Sequence, residues 1–501
     1  MSWLDNIIGF ISPESGYKRE AWKQSWQNLK NYDAGSYDRS NANWRAINQS
    51  AEMTDRFSRD NVRARARDLE RNSDIMNSVI KAYKRNIVGG GYNLQARTDN
   101  PDINYQLETL WQLWCKKKNC DVTETQSFNQ MIRMAVERKK VDGGILFLKR
   151  YTSDGIIPFK LQLIEVDELD ISQMVPKIKG NKVVGGIEYN SFNKAVGYWI
   201  KQYNIDGYSI ENPIYIDAKD VIFYFSKTRA SQVREISDMS PTMTRIRDAN
   251  EFMVAVSVKE RIAACLSVFV KRSLPTGGGG FGRNTATVTE SRESYQGKTI
   301  SPGMIKELNP GDEIQVVNPS NPGGDATSYI KLQQRLIGAG QGISYEATSR
   351  DMSETNYSSA RQGLIEDEAT YVEEIELLKE NILDEIYETF VISVYLVGLV
   401  DMPDFWNKKQ DYFWHEWIQK PRKWIDPQKE ANANKIALQT GQKTFKQIAA
   451  ENGKDWKEQI DEIVEVIEYG KTKGIDLGGV IFDKEENELY TDKDGGDSKE
   501  E

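Results

Sequence analysis

The segment from Ser358 to Val397 reads as one long helix, and it limits what the rest of the chain can be. At 1.5 Å per residue it would reach roughly 60 Å if straight, with Gly363 as the expected kink. Between Leu364 and Phe390 it carries ten acidic residues and a single lysine, Lys379. That net −9 equals the charge of the whole 501-residue chain, so the remainder is balanced. Such a helix can shield its charges only by facing water or basic partners.

The other segments alternate helical and strand patterns. Residues 1 to about 50 read as an arm with short helices around Tyr17 to Leu29. Its Trp3, Trp22, Trp26 and Trp44 could clasp a neighbouring surface or pack on the chain's own body. Residues 54–88 read as helical, with Thr54 as N-cap and Gly89-Gly90-Gly91 as the stop. Asp74 is expected to open a second helix with Ile75, Val79, Ala82 and Tyr83 on one face. Arg56, Arg59, Arg63, Arg65, Arg67 and Arg71 crowd the first part. They suit contact with DNA or a neighbouring subunit, and they suit even better a solvated face with local ion pairs. Helices over 102–118 and 127–140 lead to strands at 145–150, 159–164, 183–189, 196–202 and 221–225, with Gly185-Gly186 among the turns.

Residues 241–272 return to a helical period that is apolar on several sides near Ile262-Ala263-Ala264-Cys265-Leu266. Glycine and proline clusters break up 273–328, and 327–341 is helical again. Residues 344–359 are polar. Trp406, Trp414, Trp417 and Trp424 follow the long helix. Three short helices then begin at Pro427, after Thr444 and after Asp455, and stop signals stand at Gly441 and Gly453. From Lys484 the tail is charged and reads as disordered.

Little here resembles catalytic machinery. Gly297-Lys298-Thr299 looks like the end of a phosphate loop, but Arg292 stands where the first glycine is required. Gly277–Gly280 lacks dinucleotide spacing. The lone histidine, His415, reads as packed and removes most nucleophilic schemes. Cys115, Cys120 and Cys265 offer no disulfide framework and no zinc site, and they fit a reducing compartment. Glu165, Asp167, Glu168 and Asp170 are carboxylates that a metal nuclease could use, although a charged solvated turn accounts for them better. No cofactor is expected. The N-terminus makes a poor signal peptide, and the longest apolar run, Phe390 to Val400, is too short to span a membrane. The residues alone therefore indicate an acidic, multi-domain α+β protein built for assembly.

Several stretches, in series, resemble the lambda-type phage portal family. They are Arg63-Ala-Arg-Ala-Arg-Asp-Leu-Glu-Arg-Asn-Ser73, Asn86-Ile-Val-Gly-Gly-Gly91, Leu161-Gln-Leu-Ile-Glu-Val-Asp-Glu-Leu-Asp170 and Gly186-Ile-Glu-Tyr189. Asp220-Val-Ile-Phe223, Val233-Arg-Glu-Ile236, Ser301-Pro-Gly-Met-Ile305 and Leu308-Asn-Pro-Gly311 follow in order. Gly342-Ile-Ser-Tyr-Glu346 and Asn356-Tyr-Ser-Ser-Ala-Arg361 are the most telling. Ser73 stands where the family usually has a second Asn, and Arg350 puts a charge where it has a glycine.

The resemblance implies a structural protein without enzymatic activity. Its fold would have a wing, stem helices, a small β-containing clip and a helical crown. On this chain those fall at 1–50 (arm), 51–240 (wing), 241–272 (stem), 273–324 (clip), 325–342 (second stem helix) and 343–360 (tunnel loop). The long wing helix and Trp-rich segment would occupy 361–425, the crown 426–483 and the tail 484–501. It also implies a homo-oligomeric ring, commonly a dodecamer, at the capsid portal vertex of the virion, assembled in the host cytoplasm. The terminase large subunit would dock there, and head-completion adaptors, major capsid protein and scaffold would adjoin. Double-stranded DNA would pass non-specifically, and no membrane is involved. An acidic lumen would repel phosphate and let DNA slide. Expected tunnel residues are Ser349, Arg350, Asp351, Ser353, Thr355, Asn356 and Arg361. Expected docking residues on the clip are Arg283, Arg292, Lys298, Lys306, Glu307, Asp312 and Glu313. The competing readings are another capsid or tail structural protein and a carboxylate-dependent nuclease.

Overall fold

The computed structural model describes residues 10, 12–30, 43, 46–207, 212–264, 268–272, 312–316, 326–353, 357–420 and 427–475. The chain divides into two units, Met1–Thr54 and Asp55–Glu501. The first holds helix α1, Pro13–Lys30, on which Tyr17 and Trp22 are exposed. Trp3 and Trp44 lie outside the described residues.

The second unit opens with α2 (Arg59–Asn72) and α3 (Asp74–Ile87). Thr54 does not cap them. It lies inside a short helix, Ala51–Asp55, and Ser58 takes the N-cap position of α2. Ser73 ends α2 in an extended conformation, and its hydroxyl accepts from Met76 N to start α3. Ile75, Val79, Ala82 and Tyr83 are all buried, as their spacing requires. β1 (Tyr92–Ala96), α4 (Pro101–Trp114) and α5 (Phe128–Asp142) follow. Gly143 turns α5 into β2 at φ +92°, with Ile236 backbone so close that a Cβ would sit 2.4 Å from it.

β2 (Gly144–Arg150) is the centre of an antiparallel sheet in the order β3-β2-β8, with β3 at Lys160–Ile164 and β8 at Val221–Phe225. Both faces of β2 are covered, which is why it is continuously apolar. Ile145 and Phe147 enter the main core, while Leu146 and Leu148 enter a second one. That second core is closed by an antiparallel sheet, β4-β5-β6-β7. Its strands are β4 (Lys182–Val184), β5 (Ile187–Tyr189), β6 (Ala195–Ile200) and β7 (Ile214–Asp217). The run expected at 183–189 is thus two strands joined by the left-handed pair Gly185-Gly186.

α6 (Met243–Ala264) ends eight residues before the expected boundary at 272. Residues Val268–Arg272 instead form β9, paired antiparallel with β10 (Asp312–Val316). The Val-Phe-Val run suits a strand better than a helix. α7 (Ala326–Gln341) packs along α6, with Phe252 against Tyr329 at 4.4 Å. After α8 (Tyr345–Ser349), the long helix runs from α9 (Tyr357–Leu378) through a π-helical turn at Lys379–Leu383 into α10 (Asp384–Val397). Its regular ladder is interrupted at that turn and not at Gly363, which stays within α9. β11 (His415–Gln419) pairs with β1. Last come α11 (Pro427–Gln439), α12 (Phe445–Glu451) and α13 (Trp456–Thr472). A capping box at Thr444/Gln447 starts α12, and Asp455 caps α13. No helix among the described residues is long and apolar enough to cross a membrane.

Candidate functional site

The two helices α6 and α7 meet the long helix at one junction, around residues 341–353. Gln341 closes α7, and its side chain donates to Asp238 O at 3.2 Å and Thr242 Oγ1 at 3.0 Å. Its carbonyl accepts from the Tyr83 hydroxyl. Gly342 turns the chain at φ +71°, and Thr370 Oγ1 of α9 donates to its carbonyl at 2.7 Å. Ser344 then caps α8 by accepting from Ala347 N. The same residue donates through N and Oγ to both oxygens of Asp367 on α9, at 2.6 and 2.8 Å. Burial pushes the Asp367 carboxyl up, against the Ser344 donors that lower it. Arg350 ends α8 at φ +60°, a left-handed cap, with its N–H on Glu346 O at 2.8 Å. Asp351 accepts from Tyr345 Oη and from Ser353.

The first half of the expected tunnel loop is therefore a capped helical turn tied to α9, and not a loosely held polar loop. Ser349 Oγ donates to Tyr345 O inside that turn. Arg350 and Ser353 are exposed beside it, and Arg361 is exposed on the first turns of α9. Thr355 and Asn356 lie outside the described residues, as do Arg283, Arg292, Lys298, Lys306 and Glu307. Asp312 and Glu313 stand on β10, opposite Arg272 and Lys271.

Beneath this junction lies a set of charges that the sequence did not announce. Lys139 and Lys140, at the end of α5, both reach Glu374 of α9 at 2.8 Å. Both also reach Asp238, just ahead of α6, at 2.8 and 3.3 Å. Lys140 lies over the Tyr83 ring at 3.8 Å. Burial disfavours charge on Glu374, but the two lysines outweigh it and hold the carboxyl below its usual range. Burial likewise opposes Lys140, and Asp238 and Glu374 raise it nonetheless. Two adjacent lysines at a helix end normally read as solvated, so no local pattern marked them.

The arginine-rich helix behaves in the same way. Arg63 pairs with Asp60, Asp167 and Glu235, and Arg67 pairs with Asp142, Glu165 and Asp167. Arg59 donates to Glu235 O at 3.0 Å. Only Arg56, Arg65 and Arg71 remain on an exposed face. The turn at 165–170 is solvated only in part, with Glu165 exposed and the other carboxylates drawn in. Asp167 faces two arginines, Asp170 is buried on Lys201 at 2.7 Å, and Glu168 accepts from Glu165 N. His415 is packed against Tyr387, with Nε2 3.0 Å from Asp384 Oδ1. Among the described residues no cluster of His, Cys, Asp and Glu is placed to hold a metal ion.

The model of the family described as phage portal protein, lambda family, matches residues 37–374. This chain belongs to that family. It is 23% identical over 434 residues to the probable portal protein of Halomonas phage phiHAP-1, covering 83% of this chain and 81% of that one. It is 20% identical over 447 residues to portal protein B of Escherichia phage lambda, covering 81% and 83%. A chain in the neck of an empty GTA particle computed with C6 symmetry aligns at a TM-score of 0.43 and 12% identity, over 78% of this chain and 93% of that one. Family membership makes the portal protein a structural component of the phage particle, a subunit of its portal ring.

Proposed function

We propose that this portal protein closes into a ring of twelve copies at one capsid vertex, around a channel through which duplex DNA enters and leaves. The family match over most of the chain carries the reading. The paired helices α6 and α7, running on into the β9–β10 pair, suit a stem that ends in a clip. The clip, residues 273–324, would receive the terminase large subunit and later the head-completion adaptors. Residues 51–240 with the long helix would form the wing towards capsid protein and scaffold, and 426–483 the crown. Arg350 and Arg361, exposed near the α8–α9 junction, would make weak contacts with passing phosphates, and the acidic balance of the chain keeps those contacts from holding. Nothing in this role requires a cofactor or a catalytic step.

Imaging of purified protein and of capsid vertices, with mass determination, tests the reading. Rings with a continuous hole wide enough for duplex DNA are the expected result. A closed dimer without a channel, and vertices lacking this chain, would overturn it.

A further inference from the structure

Two surfaces of the second unit each combine exposed apolar side chains with charge that is wholly or mainly of one sign. The first is the loop at 171–182, which contains three lysines and no acidic residue. Met174 is 76% exposed and Val175 70%, and Lys177, Lys179 and Lys182 are exposed around them. This loop is anchored. The fully buried Glu188 accepts from Lys177 N at 2.8 Å, Ile178 N at 3.0 Å and Asn181 Nδ2 at 2.8 Å. Asp170 holds the other end through Ser172 N at 3.0 Å. Apolar side chains on a backbone already fixed lose less entropy when a partner covers them.

The second surface is the outer face of α9. Ile365, Ala369, Val372 and Glu376 recur three and four residues apart, so they share one stripe. Ile365 is 55% and Val372 41% exposed. Glu366, Glu368 and Glu373 flank the stripe, and no ion pair engages these glutamates among the described residues. The stripe opens into a groove of about 770 Å³ floored by Val372 and Ile375, with Glu368, Glu416, Glu430 and Glu451 and two lysines around it.

We infer that the lysine loop at 171–182 of one copy seats on the acidic α9 face of the next copy. The inference rests on the ring proposed above and says which surfaces close it. Neither surface can pair with its own twin, because lysines would face lysines and glutamates would face glutamates. Each therefore needs the other, and a contact between two different faces runs head to tail, the type that generates rings. Glu366, Glu368, Glu373 and Glu376 are thereby assigned to the boundary between subunits and not to the channel wall.

The test uses full-length portal protein in rings recovered from particles, assembled from a mixture of light- and heavy-nitrogen chains. A benzophenone side chain placed at Met174 is photoactivated, and the linked peptides are identified by mass. Mixed-isotope links from residue 174 to the segment 361–380 are expected. Links within one chain only, links elsewhere on the neighbour, or links to another capsid protein would each overturn the inference while leaving the ring intact. Absence of any ring would instead sink the reading on which it rests. In a second experiment, Lys177→Glu with Lys179→Glu should lower ring yield about tenfold, and adding Glu373→Lys with Glu376→Lys should restore it. Unchanged yield in the first variant, or no rescue in the second, contradicts the contact.

Discussion

Replacing Glu374 by glutamine tests how the junction beneath α8 is held. The side chain keeps its shape and loses its charge, leaving Lys139 and Lys140 to share Asp238 alone. Lys139 is 1% exposed and Glu374 15%, so the interaction is only slightly screened. Removing one partner from a buried ion pair costs about 3–5 kcal/mol, and the surviving Asp238 puts this case near the lower end, about 3 kcal/mol. At roughly 2–4 °C per kcal/mol for a large domain, the melting temperature should fall by about 6 °C or more. Glu374 titrates below its unfolded value of 4.5 in the folded protein, so its contribution is present above that value and lost as pH falls through the folded one. The gap between wild type and Glu374→Gln should therefore be flat near neutrality and close in acid, where wild-type Glu374 also becomes neutral. Scanning fluorimetry from about pH 3 to about pH 8 reads both effects. A variant as stable as wild type at neutral pH, or a gap that widens on acidification, would refute the reasoning. Adding Lys139→Met to the variant should recover more than half of the loss, because one lysine and one aspartate then balance.

Four further outcomes follow from the packing. Trp114 stacks on Phe159 at 5.3 Å and donates to its carbonyl at 2.7 Å, so Trp114→Ala should cost about 3–5 kcal/mol in thermal or denaturant unfolding. Trp114→Phe keeps the ring but orphans that carbonyl, at about 1–3 kcal/mol. Gly143→Ala should abolish soluble expression, since its Cβ would lie 2.4 Å from Ile236 at φ +92°, whereas Gly441→Ala, strained only by its φ of +73°, should cost about 1 kcal/mol. Ser344→Ala removes the α8 cap and the hydroxyl donor to Asp367 while keeping the backbone one, costing about 1–2 kcal/mol, and should speed hydrogen exchange at residues 345–349 before any global change. Particles carrying Arg350→Glu with Arg361→Glu should package DNA more slowly in a single-particle or bulk packaging assay, and a wild-type rate would remove both residues from the channel.

Where a segment's structure depends on its own residues, the sequence showed it. The face Ile75, Val79, Ala82 and Tyr83, the strand Val221–Phe225 and the caps at Thr444 and Asp455 all stand where spacing or side-chain chemistry puts them. Errors arose where distant residues decide. β1 and β11 are more than 300 residues apart, and neither reads as a strand until the other is beside it. Val268–Arg272 continues the apolar run of the preceding helix, which hides its own β-branched strand preference until its pairing with Asp312–Val316 is seen. At the candidate site, Arg350 and Arg361 could be picked out as exposed charges. Ser344 with Asp367, and the lysines with Glu374, could not, because each set joins elements with long intervening stretches of chain.

The arginine-rich helix shows how such long-range pairing changes a functional reading. Six arginines within sixteen residues look like a surface for phosphate. Arg59, Arg63 and Arg67, however, are four residues apart and so share one face of α2, and that face is turned inward. Asp142 at the end of α5, Asp167 beside β3 and Glu235 ahead of α6 converge on it from three other parts of the unit. A planar guanidinium can bond two or three carboxylates at fixed angles, which a lysine cannot, so these side chains set the angles between α2, the β3-β2-β8 sheet and the start of α6 as much as they add stability. The arginines committed there are unavailable to DNA, and the exposed remainder, Arg56, Arg65 and Arg71, has Asp55, Asp60 and Asp68 nearby in sequence. A frame built this way offers phosphate little to hold, which suits the DNA channel proposed for the ring.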